Sequence, residues 1–159
     1  MPGFTKSFLF PDINVWVALT YEGHVHHLVA HDWLADARDD VRLLFCRFTQ
    51  LGLLRLLSAD AVMGDEVMNQ KDAWGTYDRW LEDERVEFLD EPLGLERRFR
   101  SLTRLRHPAP KDWADSYLAA FAGVSQLTLV TFDRAMRGKV KPIILLGDWP
   151  AGVARCSAS

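Results

Sequence analysis

Four aspartates are spaced so that their carboxylates could act together. Asp12 directly follows a short apolar run at 7–10, and Asp133 follows another at 127–131 after one intervening residue. If both runs are strands of one parallel sheet, the two acids stand at the same carboxyl edge, where α/β proteins place their ligands. Asp115 falls one turn into a helix that leads to the second run, and Asp112, three residues earlier, lies near the same helical face. Carboxylates gathered in this way repel one another unless a cation joins them. A set of hard oxygens, with no Cys or paired His, suits Mg2+ or Mn2+ rather than zinc. Such an ion keeps several waters and can activate one against a phosphodiester. Asp also favours turns and helix N-caps for its own reasons, so spacing alone leaves both readings of Asp12 and Asp133 open.

Other chemistry-bearing residues are more ambiguous. Arg97, Arg98, Arg100, Arg104, Arg106 and His107 form the densest basic stretch. In a helix over 94–106, Arg97, Arg100 and Arg104 share one face. That face is either a phosphate track or a solvated surface paired with Glu91 and Glu96. A second basic group, Arg134, Arg137, Lys139 and Lys141, follows the last acid and would flank the same edge. His24, His26, His27 and His31 include an i, i+4 pair, but no Glu stands between the two as in a zinc helix. They read as a polar helix entrance with one or two packed imidazoles. Trp16, Trp33, Trp74 and Trp80 fall at core spacings. Trp113 sits beside Asp112 and near the candidate site, and it too reads as a packing residue.

These side chains need a scaffold, and the periodicity supplies one. Strand-like runs at 7–10, 42–46, 86–89, 127–131 and 142–146 alternate with helical spacings at 14–21, 26–37, 49–57, 73–84, 94–106 and 111–123. Pro11 closes the first strand and Gly23 ends the first helix. Strands separated by helices point to an α/β sandwich around a mainly parallel sheet. There is no internal repeat, low-complexity run or Gly/Ser linker, so 1–150 reads as a single domain and 151–159 as a short tail.

Composition agrees with a globular chain. The 159 residues are 48% hydrophobic and 26% charged, which excludes disorder. No apolar stretch reaches the roughly 18 residues of a membrane helix, and the N-terminus lacks the apolar segment of a signal peptide. Cys46 and Cys156 suggest free thiols in a reducing cytoplasm. The net charge of −3 argues against a surface coated with basic residues. It leaves nucleic acid open as a substrate, because a carboxylate site for metal itself adds negative charge.

Three segments in this order and spacing resemble the acidic motifs of PIN-domain ribonucleases: Phe10-Pro11-Asp12-Ile13-Asn14-Val15, Asp115-Ser116-Tyr117-Leu118-Ala119-Ala120-Phe121-Ala122 and Leu129-Val130-Thr131-Phe132-Asp133-Arg134. Within that family the chain is most similar to the VapC toxins of bacterial toxin–antitoxin pairs, over roughly residues 8–149. The segments Gly23-His24-Val25-His26-His27 and Cys46-Arg47-Phe48-Thr49-Gln50-Leu51-Gly52 resemble a VapC subgroup.

The resemblance implies a PIN-like α/β/α sandwich with a central parallel sheet and an endoribonuclease activity that depends on Mg2+ or Mn2+. It further implies an RNA substrate of the tRNA or rRNA class, inhibition by a cognate antitoxin, and homodimerisation. Asp12, Asp115 and Asp133 would be the catalytic metal carboxylates, Asn14 would orient the Asp12 loop, and Thr131 would bring a hydroxyl near the metal. Arg97, Arg100, Arg104 and Arg134 would be candidates for RNA contact. One departure stands out: many members carry Glu where this chain has Gln50. An amide can coordinate through its oxygen or hold a metal-bound water, but it brings no charge and cannot act as a base. Either Gln50 fills that position weakly or Asp112 compensates. The alternative from another class is a PIN-like RNA-binding or interaction domain that has lost activity, with Gln50 the first sign of decay. A flap-type DNA nuclease is disfavoured, because the chain is short and lacks the arch and DNA-anchoring segments.

Overall fold

The structure, a computed structural model, describes residues 6–37 and 39–149; the expected tail at 151–159 lies outside them. Five strands carry the architecture: β1 (Ser7–Pro11), β2 (Val41–Phe45), β3 (Val86–Phe88), β4 (Thr128–Thr131) and β5 (Ile143–Leu145). They form one sheet in the order β3-β2-β1-β4-β5, and every pairing is parallel. β1 and β4 are adjacent, with Leu9 opposite Thr128 and Pro11 opposite Val130.

Alternation along the strands explains why both faces are covered. Leu9, Leu43, Phe45 and Val130 point into one buried cluster, while Phe10, Leu44 and Leu129 point into another. Strands buried on both faces read as continuous apolar runs rather than as a polar-apolar alternation. The first cluster is covered by α1 (Ile13–Thr20), α2 (His27–Asp36), α3 (Arg47–Leu57) and α5 (Gln70–Leu81), with the short α4 (Asp60–Met63) between the last two. The second is covered by α6 (Leu95–Leu102) and α7 (Asp112–Val124). The result is the expected α/β/α sandwich.

Aromatic packing ties the layers to the sheet. Trp16 stacks on Phe45 with ring centroids 3.8 Å apart, and Trp80 meets Trp16 edge-on at 5.3 Å. On the opposite face Phe10 stacks on Phe121 at 5.0 Å. Burying each such ring contributes about 1.5–3 kcal/mol, so the strand ends that carry the site rest on a well-filled core.

Several boundaries differ from the sequence reading for local reasons. Pro11 is the last residue of β1 rather than its stop: at a strand end its missing N–H costs no ladder bond. The basic helix ends at Leu102 instead of 106, because Thr103 leaves helical geometry and its hydroxyl turns back to the Phe99 carbonyl (2.9 Å). Arg104 therefore lies beyond the helix and does not share a helical face with Arg97 and Arg100. Two tryptophans that read as packing residues are open to solvent, Trp74 at 48% and Trp113 at 58%. The sequence pattern gives no sign of α4; four residues are too few for periodicity to register. Among the described residues no helix is long and apolar enough to cross a membrane.

Candidate active site

Parallel pairing of β1 and β4 brings Asp12 and Asp133 to one edge. The Asp12 backbone N–H extends the ladder by donating to the Val130 carbonyl (2.9 Å). Its side chain then caps α1: Oδ1 accepts from the Asn14 backbone N–H (2.8 Å). The other oxygen, Oδ2, accepts from the Thr131 hydroxyl (2.7 Å). Thr131 is fully buried at the end of β4, and the same hydroxyl oxygen accepts from the Asp133 backbone N–H (3.1 Å). Asp133 caps the following 3-10 turn (Arg134–Gly138), its Oδ1 accepting from the Ala135 N–H (2.9 Å). One buried hydroxyl thus links the two strand-end acids. Both are also caps, so the turn reading and the site reading of these residues coexist.

Asp115 enters from the first turn of α7. Burial raises its pKa, and the charges of Asp133, Asp12 and Asp112 raise it further; Lys139 opposes them. Asp12 is likewise raised, first by burial and, more weakly, by Asp133, against the hydrogen bonds from Thr131 and Asn14. Three carboxylates therefore feel one another, as proximity at one edge requires. Among the described residues, however, no three His, Cys, Asp or Glu side chains are gathered closely enough to hold a metal ion as they stand.

The supporting residues divide into those that face this cluster and those engaged elsewhere. Asn14 contributes its backbone N–H while its side chain is exposed. Asp112 is tied up: Oδ1 accepts from Lys139 Nζ and Oδ2 from the Ser116 hydroxyl (3.0 Å). The lysine bond, followed by weaker contributions from Ser116 and His107, holds its pKa below the usual carboxylate range. Gln50 is buried in α3, its Oε1 accepting from the Arg47 guanidinium (2.6 Å). Arg47 in turn lies over the Phe88 ring, 4.7 Å from its centroid.

The basic candidates are spread over two regions. Arg97, Arg100 and Arg104 are exposed on α6 and just beyond it, and Arg100 pairs with Glu96 (3.5 Å). Glu91, the other expected partner, instead meets the Tyr117 hydroxyl (3.3 Å). Arg134 and Arg137 both grip Asp148, at 2.7 and 3.1 Å. Among the histidines, His27 Nδ1 lies 2.6 Å from the Ala18 carbonyl oxygen, and His26 stacks on Phe132 with centroids 4.5 Å apart. His27 is a partly buried, packed imidazole, whereas His26 is exposed.

Sequence reading does not single out Ser116 or the Lys139–Asp112 ion pair. Ser116 sits four residues after Asp112 on one helical face, a spacing that puts two side chains in reach. Lys139 stands out in the sequence only as one of a basic group, and its partner is 27 residues away.

Similarity to known proteins decides the family. The family model described as the PIN domain matches residues 9–141. The chain belongs to the PIN-domain family. It is 41% identical over 131 residues to the Ribonuclease VapC41 of Mycobacterium tuberculosis, covering 80% of this chain and 90% of that protein. Among solved structures, the PIN fold seen here matches the sarcin–ricin-loop-cleaving toxin VapC20 of M. tuberculosis with a TM-score of 0.61. That match has 17% identity and covers 82% of this chain and 93% of that one. It also matches a chain of VapBC-1 from nontypeable Haemophilus influenzae with a TM-score of 0.61 at 14% identity, covering 88% and 98%. At such identities the structural likeness speaks for the fold. The sandwich and family expected from the three acidic segments are those found.

Proposed function

We propose that this PIN-domain chain is an endoribonuclease toxin whose activity depends on Mg2+ or Mn2+ at Asp12, Asp115 and Asp133, and which a cognate antitoxin restrains. The observation that carries the reading is the Thr131 hydroxyl joined to both Asp12 and Asp133, with Asp115 in electrostatic reach of the pair. The family and the 41% identity to a ribonuclease support the substrate class. The antitoxin follows the VapBC pairing named for the Haemophilus structure. RNA of the tRNA or rRNA class, homodimerisation and a cytoplasmic location complete the proposal.

The donor set fits a hard divalent cation in type: all oxygen, net negative, and supported by fixed hydrogen bonds. Asp12, Asp115 and Asp133 would hold Mg2+ or Mn2+, ions that take oxygen ligands and keep several waters. When bound, such an ion supplies an activated water and offsets charge on the leaving oxygen. The chain's own residues do the positioning. Thr131 fixes the rotamer of Asp12, as hydrogen-bonded outer partners do for metal carboxylates. Asp133 is held by two backbone N–H bonds, one given and one received through its cap. Lys139 keeps Asp112 ionised and brings positive charge beside Asp115.

The competing reading, an inactive binding domain, draws on Gln50, whose amide oxygen is engaged by Arg47. One experiment separates the two: purified antitoxin-free protein is given a mixed tRNA and rRNA pool with Mn2+ or Mg2+, with EDTA, and as Asp115→Asn. Cutting that needs both metal and Asp115 is the expected result, and the fragment ends identify the RNA. Folded protein that cuts nothing favours the binding domain. Cutting that survives Asp115→Asn sinks the site assignment.

A further inference from the structure

Asp112 and Trp113, in the first turn of α7, wall a cavity of about 330 Å³ bounded on its other side by Leu105, His107, Pro108, Ala109 and Pro110. We propose that this cavity receives one unpaired nucleobase of an RNA strand, stacked on the indole of Trp113. The inference rests on the ribonuclease reading above and deepens it, assigning a side chain that holds a base of the RNA strand.

Four observations carry it. Trp113 is 58% exposed on a helix whose inner face is fully packed, and Phe99 props its ring edge-on at 6.0 Å. A large flat apolar surface is therefore presented to solvent and held in one orientation. Asp112 lines the same cavity and is bonded to Lys139, the cation that also acts on Asp115. An occupant of the cavity thus lies against Asp112, at the start of the helix that also carries Asp115. The walls are mainly apolar, with Thr103 and His107 as the polar groups able to meet base edges. Such a lining, at the small end of ligand-site volumes, suits a planar heterocycle.

Charge selects the class of partner. Arg97, Arg98, Arg100, Arg104 and Arg106 are all exposed on α6 and the loop that leads to the cavity, and exposed Lys111 falls between the lining residues Pro110 and Asp112. A polyanion fits these surroundings better than an apolar peptide. Protein recognition of RNA typically stacks splayed-out bases on aromatic rings, because stacked duplex bases cannot enter such a pocket. Thr103 and Trp113 also line a second depression on the α6 side with Arg100, which gives the strand a path past the indole.

The test uses full-length Asp115→Asn protein in EDTA, so that binding is read without cleavage. Anisotropy follows a labelled mixed-sequence single-stranded RNA octamer and an abasic sugar-phosphate octamer of the same length. Adding Trp113→Ala is expected to weaken RNA binding about ten-fold or more, within the range seen for loss of a stacked base, and to leave the abasic oligomer unchanged. Trp113→Phe retains most of the affinity. Because the indole is exposed, both variants keep the wild-type melting temperature.

Equal affinity for RNA with and without Trp113, an equal loss on both oligomers, or no binding of either oligomer overturns the proposal. So does unchanged RNA binding together with release of a protein that co-purifies with the wild type, since the cavity then holds a partner's side chain. The two readings fail separately. Wild-type protein that cuts no RNA but shows the Trp113 dependence sinks the nuclease and keeps the pocket. Protein that cuts RNA with an unchanged KM in Trp113→Ala does the reverse.

Discussion

Asp112 and Asp115 stand one turn apart on α7, yet their surroundings push them in opposite directions. Asp112 is paired with Lys139 and Ser116, and its pKa is lowered. Asp115 faces burial and the charges of Asp133, Asp12 and Asp112, and its pKa is raised. The same contrast holds beyond α7. Asp12 receives a hydroxyl and an N–H but stays raised, whereas Asp83, gripped by Arg85 at 2.9 and 3.1 Å, is lowered. Acids that already own a cationic side chain gain nothing from a metal ion; acids that repel one another gain a great deal. The difference separates the carboxylates that complete the fold from those whose charge a divalent cation would relieve, and substitutions can move a residue across that line.

The largest effect is expected at Asp115. Asp115→Asn removes one of the proposed ligands and should reduce cleavage to background while leaving the fold intact. Thr131→Val comes next, because it strips the donor from Asp12 and the acceptor from the Asp133 N–H at once. Cleavage should fall about 10- to 100-fold, the usual range for an outer partner of a metal ligand. Stability should fall by about 1–3 kcal/mol for buried groups left unpaired. Thr131→Ser keeps the hydroxyl and should recover most of the activity. A Thr131→Val enzyme with wild-type rates would show that the strand-end link is only structural.

Stability against pH sharpens the contrast more gently. A carboxyl whose folded pKa is raised binds its proton more tightly when folded, so its contribution to stability declines as pH rises from 3.8 through the folded value. In EDTA, Asp115→Asn should therefore melt higher than wild type at neutral pH, and the gap should close below 3.8. Mn2+ or Mg2+ at a hundred times its Kd should stabilise the wild type by about 2.7 kcal/mol and the variant by clearly less. Thermal melts across pH, with and without metal, read both. A gap that is absent or reversed would mean that Asp115 is not among the repelling acids.

Much of this is legible in the sequence because burial on both faces writes strands as apolar runs, and parallel order then sends their carboxyl ends to one edge. Asp12 and Asp133 can be placed at one edge on that basis alone, whereas Thr131 enters only through the resemblance to PIN-domain ribonucleases. The Lys139–Asp112 pair is not legible, since a partner 27 residues away depends on how α7 meets the turn after β4. The end of α6 is hidden because Arg104 and Arg106 continue the helical spacing while the backbone already turns at Thr103. Trp113 misleads for the opposite reason: an aromatic at helical spacing is usually packed, and nothing in the chain announces a cavity beside it.

Gln50 gives the smallest and most discriminating test. Its oxygen accepts from Arg47 in a site only 6% exposed, and Arg47 is itself fixed over Phe88. A carboxylate placed there by Gln50→Glu would meet a cation already waiting, and the attraction would be offset by the cost of burying the charge. The variant should change stability by no more than about 1 kcal/mol and leave the number of Mn2+ ions bound per chain, counted by calorimetry, as in the wild type. Position 50 would then belong with Asp112 and Asp83 among acids that a side chain neutralises. Adding Arg47→Ala removes that partner, and the freed carboxylate at position 50 should then raise Mn2+ affinity or stoichiometry. If Gln50→Glu does so on its own, Arg47 is no barrier, and the division between paired and metal-ready acids does not extend to α3.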